Sequence, residues 1–369
     1  LAIPLFTFTG YLLAESNAPK RMMNLNRALF SHLTGGISII VLVSCAFFTA
    51  FTGASGVTII ALGGLLYPML LKEKYPKRFS LGLMTSSGSL GLLFPPSLPL
   101  ILYGLVSKTN VDKLFIAGII PGLLMILILS AYNIKVARVS QPSKGVFKSK
   151  EVFIAAKASG WELPLPLIIL VGIYGGIFTV TEAAAVAAFY TLLIEVVIYK
   201  DLHLFKDVPR IMKESMVLIG GIFIILGMAM GLTNYLIDAE IPMKILAFMK
   251  NFIDSKLTFL ILLNIFLLVV GCMMDIFSAI IVVVPLIVPI AQSFGVDMVH
   301  LGIIFLTNLE IGYSTPPVGI NLFIAGSRFN KPIFELYRAV LPFLGLRLIG
   351  LIIVTYFPWL SLTLIKFFY

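Results

Sequence analysis

The sequence is poor in charged residues, which make up 12% of its 369 positions, whereas hydrophobic residues make up 59%. Soluble domains carry about 25% charged residues, so this deficit excludes an ordinary soluble enzyme or binding domain. The mean hydropathy of +1.06 indicates a chain that crosses a lipid bilayer several times. The chain begins at Leu1, inside an apolar segment and without a signal-peptide pattern, so we expect further residues upstream.

Histidine and cysteine are also scarce, with three His and two Cys. Cys45 and Cys272 lie in apolar runs, which predicts packing roles rather than a disulfide framework. The histidines form no metal motif, HExxH is absent, and no His lies near a cluster of hydroxyl residues. An intramembrane enzyme is therefore a disfavoured alternative, and no cofactor is expected beyond a coupling ion.

The net charge of +10 invites a comparison with nucleic-acid-binding proteins. No basic patch is interleaved with aromatic residues, however, so no nucleic-acid partner is expected. Basic residues concentrated on one side of a membrane explain the excess better.

Two Pro-Pro pairs interrupt apolar segments, in GLLFPPSLP (91–99) and in GYSTPPVG (312–319). One constant offset along the chain relates five matched positions, which are Gly91 and Gly312, Pro95 and Pro316, Pro96 and Pro317, Pro68 and Pro289, and Pro121 and Pro342. A constant offset over this many positions indicates an internal duplication.

A Pro-Pro pair cannot continue a helix, because it removes two amide donors and forces the preceding residue out of the helical region. The backbone groups freed at membrane depth must be buried in protein or line a polar cavity. Paired interruptions in two halves of a chain are typical of a transporter's binding site.

We therefore predict an all-α polytopic membrane protein with an inverted repeat, two re-entrant helical hairpins and two broken transmembrane helices. A helix end and an amphipathic arm occupy 1–33, and connecting helices occupy 138–256. The two repeats are 34–137 (hairpin 34–72, broken helix 79–107, helix 113–137) and 257–369 (hairpin 257–295, broken helix 299–327, helix 333–357).

The distribution of Lys and Arg favours re-entrant hairpins over simple spans. With two hairpins, 19 basic residues fall on one side and 6 on the other, leaving out Arg338 and Arg347 inside the last span. The basic side is cytoplasmic by the positive-inside rule. The same arrangement gives the two repeats opposite orientations, as an inverted repeat requires.

Polar residues cluster at the two hairpin tips and the two breaks. The first half offers Thr52, Gly53, Ser55, Gly56, Ser86, Ser87, Ser89, Gly91, Pro95 and Ser97. The second half offers Asp275, Ser278, Asn308, Glu310, Gly312, Ser314, Thr315 and Asn321. Hydroxyls, amide oxygens and unwound carbonyls suit Na⁺, and helix N-termini after a break suit an anion.

Any single Ser or Thr in a membrane helix also fits a structural role, since such hydroxyls commonly bond to their own helix. Asp275 is different, because a carboxylate at membrane depth is costly and indicates function. Glu310 and Glu182 share that argument, but both also fit a structural pairing or a helix start. Because no Lys or Arg lies in either hairpin centre or break, we expect an anionic substrate to be held without an arginine fork, unless Arg347 reaches the site.

Four stretches resemble the large membrane subunit of tripartite ATP-independent periplasmic (TRAP) transporters. They are FTGASGVTIIALGGLLYP (51–68), GSLGLLFPPSLPLILYG (88–104), GIFTVTEAAAVAAFY (176–190) and LEIGYSTPPVGINLFIAG (309–326). The resemblance covers nearly the whole chain. Two departures are Val180, where the family usually has Pro, and the absence of a further N-terminal helical region.

The resemblance implies a Na⁺-driven importer of organic acids such as C4-dicarboxylates or sialic acid in the bacterial inner membrane. It implies a small four-helix membrane subunit and a periplasmic substrate-binding protein as partners. It also implies an elevator mechanism, in which hairpins and broken helices move against a scaffold formed by 1–33 and 163–256.

The resemblance further implies two Na⁺ sites and a substrate site. The first Na⁺ site consists of Thr52, Gly53, Ser55, Ser87 and Gly91, and the second of Asp275, Ser278, Gly312 and Thr315. The substrate site consists of Ser55, Gly56, Pro95, Pro96, Ser97, Pro316, Pro317 and Asn321. A stand-alone Na⁺/carboxylate symporter remains the alternative, whereas closed hairpins disfavour a passive channel.

Overall fold

A computed structural model describes residues 1–140, 148–239, 244, 253 and 255–368. In chain order its helices are α1 (Ala2–Glu15), α2 (Ala18–Phe30), α3 (Gly36–Thr52), α4 (Ser55–Lys72), α5 (Lys77–Ser87), α6 (Leu98–Ser107), α7 (Val111–Ser140), α8 (Ser149–Ala158), α9 (Pro164–Tyr174), α10 (Val180–Leu193), α11 (Asp207–Asp238), α12 (Lys256–Met273), α13 (Ile276–Ser293), α14 (Met298–Gly312), α15 (Ile320–Phe329), α16 (Ile333–Tyr356) and α17 (Trp359–Phe368). No strand occurs among these residues, which confirms the all-α prediction.

Seven helices within the described ranges are long and apolar enough to cross a membrane. An eighth span results if α5, the 3₁₀ turn Leu90–Leu93 that follows it, and α6 count as one, and this pair bends by 47° at its break. The chain is therefore a multi-pass membrane protein.

The helix bounds follow the same offset as the proline and glycine matches. Helix α4 runs from Ser55 to Lys72, and α13 runs from Ile276 to Ser293, so both ends of the two helices are related by the offset that relates Gly91 to Gly312. Both broken segments also have an irregular link, which carries the Pro-Pro pair. Both Pro-Pro peptide bonds are cis.

Helices of the first half pack directly against helices of the second half. Helix α4 of the first hairpin packs on α15 after the second break, and α13 of the second hairpin packs on α6 after the first break. Helix α16 packs on α5, and α7 packs on α14. Because each hairpin contacts the opposite break, one buried core joins both halves.

The sequence predicts apolar spans at 163–180 and 215–236 and an amphipathic segment at 238–256, and the structure gives other bounds for the two spans. Helix α9 ends at Tyr174 rather than at 180, because Gly175 and Gly176 form a turn in which Gly176 has a φ of +70°. Helix α11 begins at Asp207, before the expected 215, and the Asp207 carboxylate accepts from the backbone amide of His203. Helix α17 lies beyond the last predicted span. The predicted amphipathic segment 238–256 lies almost wholly outside the described residues.

Candidate functional site

The first hairpin turns at Gly53 between α3 and α4. Gly53 has a φ of +63°, and a Cβ there would lie 2.5 Å from the Leu98 side chain. Only glycine fits both the backbone conformation and this close approach to the start of α6. Thr52 is buried beside it at the end of α3. The tip is thereby held against the first break.

The first break itself packs closely on α3. A Cβ at Gly91 would lie 2.2 Å from the Ala46 carbonyl oxygen, so the two backbones nearly touch. The Thr49 hydroxyl lies 2.7 Å from the Gly88 carbonyl oxygen, to which it donates. Two residues of the predicted first Na⁺ site, Thr52 and Gly91, therefore belong to segments that are in contact.

A hydrogen bond joins the first tip to the second break. The Ser55 hydroxyl donates to Asn321 Oδ1 over 2.6 Å, although 266 residues separate them in the chain. Next to this contact, a Cβ at Gly56 would lie 2.5 Å from Ile324 on α15. The structure thus brings together three of the predicted substrate-site residues, Ser55, Gly56 and Asn321.

The second hairpin turns at Asp275, which forms the N-cap of α13. One carboxylate oxygen accepts from the amides of Phe277 and Ser278 at 3.0 Å each, and the other accepts from the Ser278 hydroxyl. The Tyr313 hydroxyl contacts the Ile276 amide from the second break. Asp275 thus has a helix-capping role in this conformation, in addition to any role in ion binding.

The second break packs on α12 through glycines. A Cβ at Gly312 would lie 2.4 Å from the Gly271 carbonyl carbon, so a side chain at Gly312 would force the two helices apart. The Gly319 amide donates to the Cys272 carbonyl over 3.1 Å and ties the end of the break to the end of α12. This tip and this break are therefore one packed unit, like those of the first half.

Several buried polar atoms around the breaks have no hydrogen-bond partner among the described residues. They include Ser97 Oγ, Ser314 Oγ and Asn321 Nδ2. Each belongs to a fully buried side chain. Because an unpaired buried polar group is costly, such atoms indicate a polar ligand or bound water at the breaks. Hydroxyl and amide groups fit an anionic substrate with an accompanying alkali ion, whereas no cluster of three His, Cys, Asp or Glu suited to a metal occurs in the part of the chain that the structure describes.

Arg347 of α16, which the sequence allowed as the exception to a site without an arginine fork, reaches both broken segments. Its Nη1 donates to the Ser86 carbonyl over 3.1 Å. Its Nη2 lies 3.0 Å from Ser89 Oγ and 3.0 Å from Glu310 Oε2. Both members of this ion pair are fully buried. The guanidinium is thus engaged by protein groups, and Glu310 has an arginine as its partner.

Other predicted residues have local partners. The Ser87 hydroxyl donates to the Leu83 carbonyl one turn back in α5. The Thr315 hydroxyl, which lies past the end of α14, donates to the Ile311 carbonyl of that helix. Pro317 is exposed, and its carbonyl accepts from Tyr337. Glu182 forms a capping box with Thr179 at the start of α10, which gives it a structural role.

Sequence reasoning missed Thr49, Tyr313 and the position of Arg347. Thr49 and Tyr313 lie next to chosen residues, but nothing in one sequence shows which way their hydroxyls point. An arginine inside a span was itself a signal, because a charge at membrane depth requires a partner.

Two further features lie away from the tips. At the end of the spans, Arg21 of α2 forms ion pairs with Glu162 and Asp201 at 2.6 Å each and with Glu195 at 3.0 Å. Burial raises the pKa of the Glu162 carboxyl, although Arg21 opposes this shift. A cavity of about 550 Å³ lies between α6, α11 and α13 and contains none of the predicted site residues.

The family model and the curated relatives indicate one family, and a solved structure shares the fold. The family model described as "Tripartite ATP-independent periplasmic transporter, DctM component" matches residues 1–360. The C4-dicarboxylate TRAP transporter large permease protein DctM of Pseudomonas aeruginosa is 38% identical, over 99% of this chain and 85% of the relative. The isethionate TRAP transporter permease protein DctMQ of Oleidesulfovibrio alaskensis is 36% identical, over 97% of this chain and 56% of the relative. The crystal structure of the Alcanivorax borkumensis YdaH transporter has a similar fold, with a TM-score of 0.62 at 13% identity, covering 98% of this chain and 85% of that one.

Proposed function

This chain belongs to the DctM component family of tripartite ATP-independent periplasmic transporters, and from that premise we propose that it couples the import of an organic acid to a Na⁺ gradient. It is a large permease subunit in the bacterial inner membrane rather than an enzyme. The substrate, the coupling ion and the movement are the proposed parts.

The contact between the first hairpin tip and the second break carries the proposal. Ser55 and Asn321 hydrogen-bond across the two halves, and Ser97, Ser314 and Asn321 each have a buried polar atom without a hydrogen-bond partner in the described part of the chain. A ligand bound there can receive hydrogen bonds from both halves at once. Such a site at paired interruptions supports a transport function.

The substrate class follows from the chemistry of this site and from the relatives. Hydroxyl and amide donors at helix starts suit a carboxylate or a sulfonate. The relatives named above are described as C4-dicarboxylate and isethionate transporters, and both of those substrates are small organic anions. We propose a C4-dicarboxylate as the first substrate to test, with a sialic-acid-like carboxylate as the second.

Sodium is proposed as the coupling ion at two sites. The first comprises groups around Gly53 and Gly91, and the second comprises groups around Asp275 and Gly312. Hydroxyl and carbonyl oxygens, with one carboxylate at the second site, are ligands that suit a monovalent ion of this kind, and a bound cation would compensate the negative substrate. Local bonds of Ser87 and Thr315 leave their remaining lone pairs free for an ion.

We also propose that the halves form an inverted repeat that moves as an elevator. The equal offsets of α4 and α13 and the exchanged packing of the hairpins support a repeat. The uneven distribution of basic residues supports opposite orientations. A small membrane subunit and a periplasmic binding protein complete the proposed machine.

The test is uptake of radiolabelled succinate and sialic acid into proteoliposomes that contain the full-length subunit with its small membrane partner. We expect uptake only with both an inward Na⁺ gradient and the cognate binding protein. Replacing Na⁺ by K⁺ at equal ionic strength is the control. Uptake without the binding protein would instead indicate a stand-alone symporter, and uptake without Na⁺ would overturn the coupling proposal.

A further inference from the structure

The buried ion pair of Arg347 and Glu310 lies where the two halves meet. Ser89 and Glu310 are separated by the repeat offset of 221 residues, and the Ser89 hydroxyl donates to the Glu310 carbonyl over 3.2 Å. Equivalent positions touch each other only near an axis that relates the halves. Arg347 therefore lies close to the axis that relates the two repeated halves.

Arg347 fixes the backbone beside one of the predicted Na⁺ ligands. Its Nη1 holds the Ser86 carbonyl, and on the other side the Thr49 hydroxyl holds the Gly88 carbonyl at 2.7 Å. Ser87 lies between these two anchored carbonyls. Its position relative to Gly53 and Gly91 therefore depends on both anchors.

The same guanidinium fixes the second break. Its Nη2 binds Glu310 Oε2, and Glu310 lies two residues before Gly312, which packs directly on Gly271. The guanidinium fork can hold acceptors on both breaks in one rigid plane, which a lysine ammonium cannot do. A shift of either break must therefore move the arginine and, through it, the other break.

From this geometry we infer that Arg347 and Glu310 are positioning residues that couple the two predicted ion sites energetically. The inference rests on the proposed Na⁺ coupling. Ion binding at one break orders the arginine fork, and the ordered fork presents the other break in its binding geometry. Binding of the first ion then favours binding of the second, and the two sites load cooperatively.

The test measures uptake and thermal unfolding of the full-length subunit with its membrane partner as a function of Na⁺ concentration. Three variants are compared with the wild type: Arg347→Lys, Glu310→Gln and the double variant Glu310→Gln/Arg347→Gln. The double variant leaves no unpaired buried charge, so it tests the coupling even if a single variant fails to fold. The control is Arg338→Gln, which changes an exposed side chain on the same helix.

We expect the half-saturating Na⁺ concentration to rise by between about 2-fold and about 12-fold in Arg347→Lys and in the double variant, because for two coupled sites it varies with the square root of a coupling factor of about 5 to about 150. The Hill coefficient for Na⁺ should fall towards 1, and uptake should drop more at low than at saturating Na⁺. Arg338→Gln should match the wild type.

Two other outcomes would overturn the inference, and they differ from each other. In the first outcome, the wild type responds to Na⁺ with a Hill coefficient above 1, and the double variant keeps the same half-saturating Na⁺ concentration and Hill coefficient but unfolds at a lower temperature. The pair then has a purely structural role. If the wild type itself shows no Na⁺ dependence, the proposed function fails together with the inference.

Discussion

Replacing Gly312 by alanine tests whether the close contact between α12 and α14 is required. A Cβ at Gly312 would lie 2.4 Å from the Gly271 carbonyl carbon and 2.5 Å from its Cα, whereas ordinary contacts begin at 3.4 Å. The two helices would have to separate by about 1 Å, because the obstructing atoms belong to the backbone and cannot rotate away. That displacement would also move the Gly312 carbonyl within the predicted second Na⁺ site.

The energetic cost follows from this overlap. Forcing extra atoms into a packed interface costs about 1–3 kcal/mol, and replacing a helical glycine by alanine recovers about 0.5–1 kcal/mol. From the middle of both ranges, we expect a net loss of about 1 kcal/mol in the free energy of unfolding. The matched control is Gly345→Ala on α16, where no atom lies within 4 Å of the added Cβ and no loss is expected.

The assay is thermal unfolding of both variants in the same detergent, followed by Na⁺ titration of uptake. Gly312→Ala should unfold at a lower temperature than the wild type and should need more Na⁺ for half-maximal uptake, whereas Gly345→Ala should show neither change. If Gly312→Ala equals Gly345→Ala in both measurements, the close approach of the two helices is not required and the reasoning is wrong.

Three further predictions concern other parts of the molecule. Ser55→Ala and Asn321→Ala should each lower substrate uptake. The double variant should lose little more uptake than either single variant, because the two residues share one hydrogen bond and a double-mutant cycle detects such coupling. Additive losses of uptake would contradict the contact. Thr179→Ala should destabilise the start of α10 by about 0.5–2 kcal/mol without changing the Na⁺ dependence of uptake, and a changed Na⁺ dependence would place Glu182 in the transport site. Arg21→Gln should leave three carboxylates without their shared partner. The unfolding temperature should therefore fall more at pH 8 than at pH 5, because protonation at pH 5 relieves the repulsion between the carboxylates. An equal fall at both pH values would argue against that cluster.

The positions of the breaks could be predicted from sequence because proline acts through local geometry. A Pro-Pro pair ends a helix wherever it occurs, and its repetition at the repeat offset located both irregular links. The polar tips were also visible, since Gly53 and Asp275 interrupt long apolar runs. Both signals depend on a few neighbouring residues, and such local signals are detectable in a single sequence.

The assembly of the site could not be predicted in the same way. The bond between Ser55 and Asn321 spans 266 residues, and no local pattern identifies such partners. Arg347 was set aside as part of the last span, because its helix looked like an ordinary membrane crossing. Its three partners lie on α5, in the turn that follows α5 and on α14, and these contacts depend on how α16 packs on α5, which is a property of the tertiary structure.

The proposed substrate site lies between the first hairpin tip and the second break. An experimental structure of the full-length subunit with its membrane partner, in Na⁺ and a saturating C4-dicarboxylate, tests it most directly. We predict ligand density in contact with Ser97 and Asn321. Density confined to the cavity between α6, α11 and α13, with none at the tips, would contradict the claim.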